Sequence, residues 1–121
     1  MIAEKTLMKF GLTKDENNLK LKEVFKDGSR IKEIHIDIYS ENPLIDSLAP
    51  FMLLSRIIEK NTIITNDEDR LILKKNTDRF ETCFMNILFS KITECCYKAF
   101  NDYSEFILNI QNIYYKITVF N

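Results

Sequence analysis

Apolar and polar residues alternate most cleanly over Glu33–Tyr39, where Ile34, Ile36 and Ile38 interleave with Glu33, His35, Asp37 and Tyr39. A period of two puts each set on its own face of a strand. The residues just before it predict a hairpin. Asp27-Gly28 suits a two-residue type I′ turn, whose central positions both need positive φ. Closing on that turn pairs Glu23 with Lys32, Lys22 with Glu33, Leu21 with Ile34 and Leu19 with Ile36. Two opposite-charge pairs and two apolar pairs support the register. The expected core side is Leu19, Leu21, Phe25, Ile34 and Ile36. Lys20, Lys22, Val24, Ile31, Glu33 and His35 form the mixed second face.

Other segments carry different periods. The stretch 40–61 reads as a helix starting near Ser47, with Pro50 in its first turn and apolar residues almost all round through Ile58. Residues 62–75 predict a second hairpin with Asn66–Asp69 as its loop. Phe80, Phe84, Ile87, Leu88, Ile92, Cys95 and Ala99 fall at helical spacing, opposite Asn86, Ser90, Thr93, Glu94 and Lys98, with Asp78 and Glu81 as a capping pair. Ile113, Tyr115, Ile117 and Val119 alternate, so one or two strands close the chain. A short N-terminal helix would end at Gly11 in the left-handed cap position. The order α-ββ-α-ββ-α-β implies an α+β fold. It is a single domain over 1–121, a largely antiparallel sheet built from β-hairpins with two main helices packed on it.

Composition narrows the chemistry. A chain of 121 residues fits one domain and buries about two-thirds of its unfolded surface without a metal or disulfide staple. Cys83, Cys95 and Cys96 form an odd set with no C-x-x-C spacing, and a single histidine leaves no zinc set, so no metal is expected. The two isolated glycines, Gly11 and Gly28, cannot build a phosphate-cradling loop, and no cofactor is implied. The 17 basic and 18 acidic residues nearly cancel, without a polybasic run, which disfavours nucleic acid. No apolar run approaches the ~18 residues that span a bilayer, and the charged start MIAEKTLMKF lacks a signal-peptide core. The expectation is a cytosolic protein.

Two groups of residues remain as candidates. His35, Asp37 and Tyr39 share a strand face and are the weak catalytic set: a base, an orienting carboxylate and an acid. Residues two apart on a strand stand about 6–7 Å apart, too far for a direct hydrogen bond without side-chain bending. A solvated strand face accounts for them better. Asp67, Glu68 and Asp69 cluster carboxylates without calcium-loop spacing and present an acidic surface to a basic protein. Phe89, Tyr97, Tyr114 and Phe120 fall off the core stripes and would supply aromatic anchors. The reading that follows is a non-enzymatic protein that neutralises a larger effector by occluding its active site. In size and composition the chain is similar to toxin-immunity proteins and phage-encoded inhibitors, a likeness that no motif carries. The alternatives are a structural subunit, homodimeric through a sheet edge or aromatic patch, and a small enzyme with His35 as base.

Overall fold

The computed structural model describes residues 11–38, 62–67, 70–75, 90–110 and 113–121. They form a seven-stranded antiparallel sheet. The strands are β1 (Thr13–Lys14), β2 (Glu33–Ile38), β3 (Thr62–Asp67), β4 (Arg70–Lys75), β5 (Ile92–Ala99), β6 (Tyr103–Ile110) and β7 (Ile113–Phe120). Their spatial order is β1-β5-β6-β7-β2-β4-β3. A C-terminal meander, β5-β6-β7, is thus joined through β2 to the β3-β4 hairpin. One helix, α1 (Leu19–Val24), follows a 3₁₀ turn at Glu16–Asn18. No helix among the described residues is long and apolar enough to cross a membrane.

Alternation fixes which face is buried. Leu73, Ile34, Val119 and Ser104 make one cross-strand row, and Ile36, Ile117, Phe106 and Tyr97 make another. Beside them Tyr115, Leu108 and Cys95 continue the same face. Leu21, Phe25 and Ile31 cover it and complete the core, with Val24 packed at its margin. The opposite face carries Glu33, His35 and Asp37 from β2, and Lys116, Thr118 and Phe120 from β7. A smaller apolar group there joins Cys96 and Ile107 to Leu12 and Tyr114.

Helix α1 is held from outside its own turn. Asp15 accepts hydrogen bonds from the Lys20 and Leu21 N–H groups, at 2.8 and 3.0 Å, while its own N–H donates to the Cys95 carbonyl at 2.8 Å. The chain reaches that geometry through Asn17 and Asn18, both at φ 57°. Asparagine enters the left-handed region more readily than other side-chain-bearing residues. One carboxylate therefore satisfies two of the helix's orphan donors and complements its positive end.

The expected pair of main helices is overturned. Among the described residues one helix of six residues stands against seven strands. The first hairpin is also replaced: Leu19–Val24 is helical, and only its second half, β2, is a strand. Leu21, Val24 and Phe25 lie at i, i+3 and i+4, a helical stripe that the Leu19-Lys20-Leu21-Lys22 alternation conceals. Leucine, lysine and glutamate also favour helix over strand. Leu19, assigned to the core, is 65% exposed. Asp27-Gly28 forms an ordinary turn closed by Arg30 N–H to the Asp27 carbonyl, and Gly28 is not at positive φ.

The helix expected through Ala99 gives way to β5 at Ile92–Ala99. Its adjacent cysteines are both buried because they point to opposite faces, each with its own apolar neighbours. In the second hairpin the strands run further than expected, to Asp67 opposite Arg70. Gly11 has φ +66°, but the helix expected before it, like that expected over 47–58, lies outside the described residues.

The two assignments of residues 19–25 differ in what they make costly. Leu21→Ala should lose about 2–5 kcal/mol by leaving a core cavity, whereas Leu19→Lys should stay within about 0.5 kcal/mol. Asp15→Ala should cost about 2–3 kcal/mol through the lost cap and its unsatisfied donors. Urea unfolding of the three variants measures this, and equal costs at positions 19 and 21 would restore the hairpin.

Candidate functional site

The register of β5, β6 and β7 aligns Glu94, Asn109 and Tyr114 in one row across the second face of the sheet. The Tyr114 hydroxyl donates to Glu94 Oε2 at 3.1 Å. Burial raises the Tyr114 phenol, and the Glu94 hydrogen bond adds to that, while the Asn109 contact opposes it. A bulge between Ile92 and Glu94 displaces Thr93, whose hydroxyl donates to the Asn109 carbonyl at 3.3 Å.

Beside this row lies a cleft of about 660 Å³, within the usual size of ligand sites. One wall is the run Lys14, Asp15, Glu16, Asn17 and Asn18. The other is the β5 bulge, with Ile92, Thr93, Glu94 and Cys95, and Asn109 lines it as well. The turn that seats α1 thus also shapes the cleft. Asn109 Oδ1 is buried without a hydrogen-bond partner.

Sulfur chemistry is suppressed at this site. Burial, reinforced by the Asp15 carboxylate and by a 3.5 Å hydrogen bond to it, pushes the Cys95 thiol far up. Burial and then Glu94 raise Cys96. Both stay protonated thiols, and a nucleophilic cysteine must be a thiolate. Cys83 lies outside the described residues.

His35 and Asp37 share the second face in successive rows. The carboxylate beside His35 is that of Glu33, with Oε1 3.4 Å from Nε2 and also 3.9 Å from Lys74 Nζ. The 3.4 Å approach is electrostatic and lacks hydrogen-bond geometry, since Nε2 is buried without a hydrogen-bond partner. The Phe120 ring packs 4.8 Å from the imidazole. A general base must come within hydrogen-bond reach of the proton it takes, and burial keeps Nε2 from doing so. Tyr39 lies outside the described residues.

The partner-binding candidates separate. Tyr97 is on the core face, 6.4 Å from the Phe106 ring, whereas Tyr114 is on the opposite face. Asp67 takes a register position beside Arg70, which stands beside Asp37, which stands beside Lys116. Charges of alternating sign along that row nearly cancel. Glu68, Asp69 and Phe89 lie outside the described residues. Phe120 joins Tyr103 and Phe100 in a ring series at 5.8 and 4.4 Å, with Phe100 37% exposed. That series is about 20 Å from Tyr114, six residues along β7.

No protein-family model matches the chain, and no curated protein or solved structure does either. Glu94 and Asn109 were missed by sequence reasoning. Glu94 fell on the polar side of a predicted helix, and only the three-strand register brings it to Tyr114. No group of three or more His, Cys, Asp or Glu placed to hold a metal ion occurs among the described residues.

The same burial sets an alkaline limit on stability. Burial pushes the Tyr115 phenol from 10.0 up to about 12. Between those values the unfolded chain releases the proton while the folded chain keeps it, so stability falls as pH rises. The full contribution is present below pH 10, and of the about 3 kcal/mol that two units represent, about 2 kcal/mol is lost by pH 12 and the rest above it. Cys95 acts in the same direction above its ordinary 9.0. Tyr115→Phe should flatten the decline between pH 10 and 12 in urea unfolding, and an unchanged slope would remove Tyr115 as its cause.

Proposed function

We propose that the protein is a non-enzymatic binding protein that neutralises a larger protein by occluding a basic site on it. The observation that carries this reading is the acceptor-rich cleft beside the Glu94–Asn109–Tyr114 row. Glu16 stands exposed on one wall and Glu94 half-buried on the other, with Lys14 the one cation among the described lining residues. Such a rim draws in a basic surface and fixes its orientation. Tyr114 supplies an anchor of the kind that concentrates binding energy.

The chemistry of the chain fits a binder better than a catalyst. Its buried thiols are held protonated, and one imidazole nitrogen of His35, Nε2, is enclosed. The proposal also assigns the acidic run Asp67, Glu68 and Asp69 to contact with the basic partner.

Affinity capture from the source lysate at moderate salt, read by mass spectrometry, tests the reading. One stoichiometric larger protein should be retained by the wild type and released as salt rises. Glu16→Lys should weaken it by about tenfold, equivalent to about 1.4 kcal/mol, and reversal of Asp67, Glu68 and Asp69 to lysine should weaken it further. Absence of a partner, or capture indifferent to both salt and charge reversal, sinks the proposal.

A further inference from the structure

We propose that Asp27-Gly28 is a site of spontaneous isoaspartate formation, and that the Ser29 hydroxyl holds the reaction in check while the turn is intact. It is the one Asp-Gly step in the chain, and no Asn-Gly step occurs. The inference stands apart from the function proposed above.

The chemistry needs only the chain and water. The Gly28 nitrogen attacks Asp27 Cγ, a C–N bond forms, and one carboxylate oxygen leaves as water with the amide proton and one from solvent. The five-membered succinimide then takes up a water. Opening at its main-chain carbonyl leaves the chain linked through the Asp27 side chain, as isoaspartate. Opening at the other carbonyl restores aspartate. Nothing is oxidised or reduced, and the final mass is unchanged. Glycine is the most permissive neighbour for the attack, since it carries no Cβ to crowd the ring.

The turn both exposes the reacting group and restrains it. The Asp27 side chain is 56% exposed, so water reaches the carboxylate. Oδ1 accepts hydrogen bonds from the Ser29 N–H at 3.0 Å and from the Ser29 hydroxyl at 2.6 Å. The Asp27 carbonyl accepts from the Arg30 N–H at 3.2 Å. Side chain and backbone of Asp27 are thus tied to the same turn. Ring closure makes Cγ nearly eclipse the main-chain carbon, outside the staggered rotamer wells, so the carboxylate must first leave Ser29. Arg30 Nε, 3.7 Å from Oδ2, belongs to an 84% exposed side chain and adds little restraint.

Position gives the product a consequence. The turn joins α1 to β2, and Phe25 and Ile31 on either side of it are buried in the core. Isoaspartate inserts one extra main-chain carbon between these two anchors. The modified chain is therefore less stable than the unmodified one.

The test holds the folded full chain at neutral pH beside the same chain in urea, with Ser29→Ala and Gly28→Ala treated alike. Peptide mapping with electron-based fragmentation separates isoaspartate from aspartate at position 27, and loss of one water marks the succinimide. Isoaspartate should form at Asp27 in both conditions, and about tenfold or more faster in urea, where the turn's hydrogen bonds are lost. Ser29→Ala, a change at an exposed position, should quicken the folded chain about three- to tenfold and leave the rate in urea unchanged. Gly28→Ala should slow the reaction even in urea, where folding plays no part. No isoaspartate at position 27, or no effect of Gly28→Ala in urea, would overturn the site. Equal rates in folded and unfolded chains, or a folded rate indifferent to Ser29→Ala, would overturn the restraint.

Discussion

The β2–β7 ladder is the constraint on which the rest of the sheet depends. It pairs Glu33–Ile38 with Tyr115–Phe120, residues from opposite ends of the chain. The Lys32 N–H extends it with a 2.7 Å bond to the Phe120 carbonyl. Within the sheet of described residues, the β5-β6-β7 meander and the β3-β4 hairpin are joined through β2. Ile34 against Val119 and Ile36 against Ile117 hold this seam, and all four side chains are buried. Fully burying such a side chain contributes about 1.5–3 kcal/mol, which must offset the entropy of closing a loop of some eighty residues. Pairing this non-local also makes for slow folding.

The seam sets the surface as well as the core. A slip of one residue would send Ile34 and Ile36 outward and His35 inward. The charge row from Asp67 through Arg70 and Asp37 to Lys116 exists only in this register. The Glu94–Asn109–Tyr114 row depends likewise on the meander's own register, with the bulge at Thr93 turning β5 toward the cleft. Asp15 then closes the arrangement from the N-terminal side. By bonding β5 through its backbone and α1 through its carboxylate, it makes one residue answerable for both the helix and the cleft wall.

The strands that bury one face were legible. Ile34 and Ile36 in β2, and Tyr115, Ile117 and Val119 in β7, alternate without interruption, and period two has one meaning there. Residues 19–25 admit both periods, because Leu19 and Leu21 fit a strand while Leu21, Val24 and Phe25 fit a helix. The deciding contact is Asp15, whose carboxylate reaches Lys20 and Leu21 only after two asparagines take left-handed backbone. Nothing in the local pattern announces that turn. In β5 the adjacent Cys95 and Cys96 are both buried, so apolar alternation disappears even though the backbone is extended. Of the site, Tyr114 stood out as an aromatic off the core stripe. Asn109 and Glu94 did not, since their meaning comes from a register between three strands.

On the binding reading proposed above, a row of polar side chains fixed by strand pairing is a preorganised surface. Asn109 is positioned by two backbone ladders, Glu94 by one ladder and a bulge, and Tyr114 by the β6 ladder, with its hydroxyl donating to Glu94. Acceptors held this way lose little entropy when a partner's donor arrives, which is how preorganisation strengthens binding. A discriminating polar contact of this kind rejects the wrong ligand more strongly than added apolar area attracts the right one. On that reading, specificity at this end of the sheet follows from how firmly strand pairing holds the row.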